Sequence, residues 1–326
     1  MNNDNVNIVF GSDPDYFVPT YMAVYSLVYN YREKRDLSVF IMTKGDYPER
    51  YKEELEKLSE TAKGFALSFT FINMEELYSG VKFSQARLDT PTMYRLSIPN
   101  LLKDIDRCLY LDSDITVEGN IGELYDMDLG GNLILGVKDI HIADNTSYGL
   151  EEILGIPSTD RYVNAGVLLM DLAGIRAEGL SGLMEEEGRN CVYPSYDQDV
   201  INKLFYHRIG VIPPRYNAVL YYIDRDIPAL IVKYGAEEYE RAKKDPLVVH
   251  YLLNIKPWKC RRFISGSYWW KYAGMQDRDF RKDILDPYVK SHRVGFKLAL
   301  KEWLKSVMVT LRLYRLAVKI IGDEQF

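Results

Sequence analysis

The chain has 326 residues and a mass of 37.8 kDa, with 47% hydrophobic and 27% charged residues. That composition excludes a collagenous, coiled-coil or wholly disordered chain. The net charge of -6 is uneven: from Lys290 to Lys319 eight Lys or Arg face one acid, Glu302, a local +7 that leaves the rest at -13. An acidic body repels nucleic acid, so no nucleic-acid partner is expected.

Cys108, Cys191 and Cys260 are odd in number and far apart, forming neither a metal pair nor a disulfide framework. They point to a reducing compartment. The opening MNNDNVNIVF lacks a basic and then apolar leader. No uncharged apolar run of about 18 residues is present, so no spanning helix is expected. The expected location is cytoplasmic.

In chain order, Asn7 to Phe10 reads as a buried strand entering a Gly-Ser-Asp loop, and Val18 to Tyr31 carries apolar residues at helical spacing. Leu37 to Met42 and Ala66 to Ile72 are further strands, separated by a charged helix from Glu49 to Ala62. A short helix is expected around Thr92 to Leu96, then strands at Arg107 to Leu111, Leu133 to Val137 and Val163 to Met170. Asp144 to Asp160 is loop-rich and suited to covering a site. Strands alternating with amphipathic helices predict an α/β fold with a mostly parallel, doubly wound sheet. Ligands of such sheets gather at the carboxyl ends of the strands. With no linker in the body, residues 1–265 read as one domain and 266–326 as an aromatic and basic helical extension.

The strongest local signal is Leu109-Tyr-Leu-Asp112-Ser113-Asp114, two carboxylates at the carboxyl end of an apolar strand. Such a pair can reach one hard divalent cation, or it can be a solvated acidic turn. The stretch also matches the nucleophile motif of haloacid-dehalogenase-type phosphatases, which would make Asp112 a covalent nucleophile. Those enzymes place the motif near the N-terminus and follow it with a Gly-Asp-x-x-x-Asp loop, which is absent here.

Six segments decide the matter. Asn7 to Tyr16, Thr92 to Leu96, Leu109 to Asp114, Asn164 to Leu169, Tyr196 to Asn202 and His250-Tyr251 with Lys256-Pro-Trp258 resemble the family 8 glycosyltransferases, in family order. These are retaining enzymes of the GT-A fold that include bacterial galactosyl- and glucosyltransferases and the glycogenins. The resemblance implies a UDP-hexose donor, Mn²⁺ (with Mg²⁺ as the substitute) and a glycan or lipid-linked acceptor. It implies that Asp112, Asp114 and His250 ligate the metal, with Ser113 beside them. Gly11, Asp13 and Tyr16 would hold the nucleoside, Tyr16 stacking on uracil. Arg95 would reach the phosphate or sugar, and Lys256 the departing diphosphate.

Asp139, Asn164, Ala165, Gly166, Asp197 and Gln198 would form the sugar pocket. Taken alone, Asn164 to Gly166 is only a strand entry and Asp197 to Asp199 a helix cap. Two positions depart from the pattern: Asp15 stands where a relative can have Asn, and Leu253 where many have Gly. Gln198 occupies the position discussed as nucleophile, and an amide is a poor one, so same-face attack is the expected route to retention. A self-glucosylating primer and a non-catalytic UDP-sugar-binding protein are the alternatives.

From Leu300 the residues Trp303, Leu304, Val307, Met308, Leu311, Tyr314 and Val318 recur at helical spacing, flanked by Lys and Arg. Such a basic amphipathic helix lies on an anionic membrane surface, or packs its stripe on the body or a second subunit. Residues 290–320 are the expected attachment to the inner membrane face, with a homo-oligomer as the alternative.

Overall fold

The computed structural model describes residues 5–77, 90–139, 149–190, 193–220, 234–252, 256–263 and 265–310. Nine strands occur among them: β1 (Val6–Gly11), β2 (Leu37–Thr43), β3 (Leu67–Asn73), β4 (Arg107–Leu111), β5 (Ile115–Val117), β6 (Ile134–Lys138), β7 (Val163–Asp171), β8 (Ile209–Val211) and β9 (Val248–His250). Seven form one sheet in the order β3-β2-β1-β4-β7-β6-β8, and β5 pairs with β9 in a small second sheet. β1 to β4 are mutually parallel and β8 is parallel to β6, whereas β7 is antiparallel to both β4 and β6. The sheet is therefore mostly parallel, as expected, and β7 is its antiparallel member. Its residues Val163 to Met170 are buried on both faces. An unbroken apolar run carries no sign of strand direction.

Alternation along each strand feeds two cores. Ile8 and Phe10 of β1, Leu109 and Leu111 of β4, and Val167 and Leu169 of β7 point to one side. Val9, Cys108, Tyr110, Leu168 and Met170 point to the other. Each fully buried aliphatic side chain contributes about 1.5–3 kcal/mol, so these strands are fixed against slippage by one residue.

The helix Phe17–Asn30 fills the first face, and its end anchors β5. Ser26 Oγ accepts from Val117 N at 2.9 Å, and Asn30 Nδ2 donates to Val117 O at 2.8 Å. The second face is covered by the helices Leu172–Ala177, Leu180–Arg189 and Tyr196–Leu204. Asn202 fastens the last of these to β7, accepting from Val163 N at 2.7 Å and donating to Val163 O at 2.8 Å. Trp269 and Tyr272, in the helix Gly266–Gly274, are buried in the first core.

The helix expected from Glu49 ends at Glu56 and continues as a 3-10 turn to Thr61, and the segment around Thr92 is likewise 3-10, Thr90–Ser97. Within the loop-rich stretch, Leu150–Leu154 is a short helix; residues 144–148 lie outside the described residues. No helix among the described residues is long and apolar enough to cross a membrane.

Candidate active site

β4 is buried from Cys108 to Leu111, so its carboxylates emerge only where the strand ends. Asp112 N donates to Gly166 O at 2.8 Å, which ties this end to β7. Tyr110 lies two residues back, on the same face, and its hydroxyl donates to Asp112 Oδ1 at 2.8 Å. Arg95 Nη2 donates to the same oxygen at 2.9 Å. Asp114 gives Oδ2 to Lys256 Nζ at 2.6 Å. Each carboxylate thus gives one oxygen to a cation and turns the other to His250, with Asp112 Oδ2 at 3.7 Å and Asp114 Oδ1 at 3.3 Å from Nε2.

His250 arrives there because β9 pairs antiparallel with β5, with His250 opposite Ile115. A chain of amides fixes its tautomer. Gly166 N–H, which can only donate, bonds Asn164 Oδ1 at 3.0 Å. Asn217 Nδ2 therefore donates to Asn164 Oδ1 at 2.9 Å, leaving Asn217 Oδ1 at 2.8 Å from His250 Nδ1. Nδ1 then carries the proton and Nε2 presents its lone pair. That buried Nε2 has no hydrogen-bond partner among the described residues and faces two carboxylate oxygens.

Three electron-rich atoms meeting in a buried spot repel unless a cation joins them, and ligand atoms of Asp112, Asp114 and His250 lie within 4.8 Å of one another. The residues fit a divalent metal; two carboxylates with one imidazole suit Mn²⁺. Gly166 is the floor of this cluster. A Cβ there would stand 2.3 Å from His250 Cε1 and 2.7 Å from Asp112 Oδ2.

A cleft of about 570 Å³ opens beside the carboxylates, lined by Gly11, Asp13, Tyr16, Arg95 and Asp112 to Asp114 among others. Tyr16 meets Trp258 edge-on, with ring centroids 5.7 Å apart. Ser113 is buried; its Oγ donates to Gly11 O at 2.9 Å, so its side chain holds the turn to β1. Arg95 is also buried. It bonds Thr92 O, Ala165 O, Asp112 and Asp197, and its guanidinium lies 4.4 Å from the centre of the Tyr110 ring. Its nitrogens are thus committed to the protein, and the group acts here as a brace under Asp112.

Asp139, Asn164 and Gln198 form one hydrogen-bonded cluster. Gln198 Oε1 accepts from Asn164 Nδ2 at 3.1 Å and from Ala165 N at 3.0 Å. Gln198 Nε2 is 3.2 Å from both Asp139 Oδ2 and Tyr162 Oη, and Asn164 Nδ2 also donates to Asp139 Oδ2 at 3.0 Å. The Gln198 amide is fully engaged. Asp199 accepts from Ser195 N at 2.6 Å and caps its helix, while Asp197 faces Arg95 at 2.9 Å.

Burial raises the Asp114 carboxyl, but the ammonium group of Lys256 outweighs it and holds the group well below the usual carboxylate range. Burial alone would lower the Arg95 guanidinium, yet Asp112 and Asp197 drive it above its usual value. Asp197 is pushed up to about 6, because burial and the charge on Asp112 exceed the pull of Arg95.

Sequence reasoning missed Asn217 and Tyr110. Strand alternation was a usable signal for Tyr110, two residues before Asp112; nothing local marks Asn217. Leu253 lies outside the described residues.

A mostly parallel sheet with a carboxylate pair at the end of a central strand defines a GT-A-type fold, and residues 7–261 match glycosyl transferase family 8. The chain belongs to that family. General stress protein A of Bacillus subtilis (strain 168) is 25% identical, the match covering 79% of this chain and 89% of that protein. The lipopolysaccharide 1,2-glucosyltransferase of Escherichia coli (strain K12) is 27% identical over 78% of this chain and 72% of its own. The solved structure of galactosyltransferase LgtC, in complex with donor and acceptor sugar analogs, superposes with a TM-score of 0.67 at 23% identity, covering 85% of this chain and 99% of that one. At that identity the likeness concerns the fold.

Proposed function

We propose that this chain is a retaining hexosyltransferase that moves glucose or galactose from a UDP-sugar to a glycan or lipid-linked acceptor, with Mn²⁺ as its metal. The observation that carries the reading is the bare, buried Nε2 of His250 facing Asp112 and Asp114 on the wall of a cleft large enough for a nucleotide. Family membership and the named lipopolysaccharide glucosyltransferase relative support it.

In this reading Asp112, Asp114 and His250 hold the metal, which when bound supplies positive charge to a leaving diphosphate. Gly11, Asp13 and Tyr16 receive the nucleoside, and Asp139, Asn164 and Asp197 the sugar hydroxyls. Lys256 keeps a cation beside Asp114, so negative charge developing nearby is stabilised without reorganisation. Arg95 and Tyr110 hold Asp112 in place. The saturated amide of Gln198 supports same-face attack of the acceptor over a covalent intermediate. The helix Phe296–Thr310 attaches the enzyme to an anionic membrane surface, where a lipid-linked acceptor is found.

A panel of UDP-sugars incubated with Mn²⁺, followed by UDP release, tests the reading. Turnover of one hexose names the donor, and loss of metal-dependent UDP binding in Asp114→Asn is expected alongside. Absence of both turnover and UDP binding across the panel would reject the assignment.

A further inference from the structure

A second cavity, of about 680 Å³, lies between the body and the helix Phe296–Thr310. Trp258 lines it and also meets Tyr16 of the cleft. Its apolar wall comes from Trp258, Trp270, Leu285 and Val289, and its rim is cationic. Lys259, Arg261, Arg262, Arg281 and Arg293 all line it, against one acid, Asp286. Among the described residues none of the four arginines is in an ion pair. Arg261 stands 4.9 Å from the Trp270 ring centre and Arg262 5.3 Å from that of Trp303. The other acid nearby, Glu302, is committed to Lys305 at 3.0 Å.

The helix that forms one side of this groove turns Phe296, Leu300 and Trp303 toward it. Its ion pair, Glu302 and Lys305, is 3% and 6% exposed, while Phe296, Leu300, Trp303 and Leu304 are 80%, 41%, 36% and 43% exposed. At 100° per residue those four apolar side chains share one face. A soluble protein has no reason to hide a charge pair and display such a stripe unless the stripe meets something apolar.

We propose that the groove is a binding site for an anionic phospholipid of a membrane leaflet, the phosphate meeting the arginines and the hydrocarbon lying between the aromatic wall and the apolar stripe of the helix. The idea rests on the membrane attachment stated above and gives it a specific site. Charge complementarity selects this occupant. Phosphate pairs well with guanidinium groups that have no carboxylate partner. A second copy would set one +7 segment against another. A soluble nucleotide or sugar phosphate would leave the exposed stripe in water.

The test is co-sedimentation with phosphatidylglycerol–phosphatidylcholine vesicles and with phosphatidylcholine alone, comparing the wild type, the triple variant Arg261→Gln/Arg262→Gln/Arg293→Gln, and Phe296→Asp. Thermal unfolding checks that each variant folds. Binding that needs phosphatidylglycerol and weakens about a hundredfold in the triple variant, near a factor of five per cation, is the expected result. Fluorescence of Trp303 should change saturably with short-chain phosphatidylglycerol and not with inorganic phosphate.

Equal sedimentation of the triple variant and the wild type overturns the groove while leaving membrane attachment through the stripe standing. No sedimentation of the wild type overturns both. A lipid-independent dimer dissolved by Phe296→Asp, or equal competition by inorganic phosphate, assigns the groove to another occupant and also rejects the proposal.

Discussion

At the scale of single residues, the site is governed by which atom carries a proton. Asn217 presents its carbonyl to His250 Nδ1 only because Asn164 accepts from the Gly166 amide, and this leaves Nε2 able to ligate. Partners of this kind tune metal affinity by about 10- to 100-fold. Asn217→Ala should therefore weaken Mn²⁺ binding, read by calorimetry, by about that factor, at a stability cost of about 1–3 kcal/mol for the unmet Nδ1–H. Unaltered affinity would show that the ring needs no such partner.

Asp197 gives a pH-dependent prediction. Its folded value of about 6 exceeds the unfolded carboxylate value of about 3.9, so the folded state binds this proton more tightly. The stabilisation is complete below about pH 4 and is lost as pH rises through about 6, at most about 3 kcal/mol. Asp197→Asn removes that dependence. The stability of the variant relative to the wild type, from urea unfolding, should rise between pH 4 and pH 7; parallel pH curves would contradict the argument.

At the scale of elements, short backbone pairings matter more than their length suggests. β5 and β9, three residues each, deliver His250 to the carboxylates, and Ser26 and Asn30 hold β5 on its helix. On the opposite side, Asn202 alone bonds both backbone groups of Val163, which sets the register of Gln198 over Asn164 and Ala165. Asn202→Ala leaves two buried backbone groups unmet, each costing about 1–3 kcal/mol. A loss near 3 kcal/mol in urea unfolding is expected, together with weaker binding of the donor sugar. The longer elements were legible from periodicity. β5, β8 and β9 were not, because three residues carry no period.

At the scale of the whole molecule, charge is segregated: a -13 body carries the cleft and a +7 segment lies at the C-terminal side. Deleting residues from Lys290 onward should abolish sedimentation with anionic vesicles and leave UDP-sugar hydrolysis intact, since Asp112, Asp114 and His250 all precede the cut. Equal vesicle binding by the shortened chain would remove the helix from that role. The apolar stripe was visible in the spacing of Leu300, Trp303, Leu304 and Val307, but the groove that Leu300 and Trp303 line was not. Which face of an amphipathic helix meets the body depends on what the body offers, and here it offers a place for Glu302 and Lys305.

The sequence by itself determined the strand-and-helix order, the carboxylates after β4, the His-Tyr…Lys-Pro-Trp segment and, through six ordered motifs, the resemblance to the family. Those features are local: they follow from hydrophobic period, turn chemistry and residue type within a short window. Tertiary structure alone decided that β7 runs antiparallel, that Gly166 floors the cluster of Asp112, Asp114 and His250, that Arg95 is a brace for Asp112 and that Asn217 sets the histidine tautomer. Each depends on atoms brought together from strands and helices far apart in the chain, where the pairing register, not the residue type, fixes which groups meet.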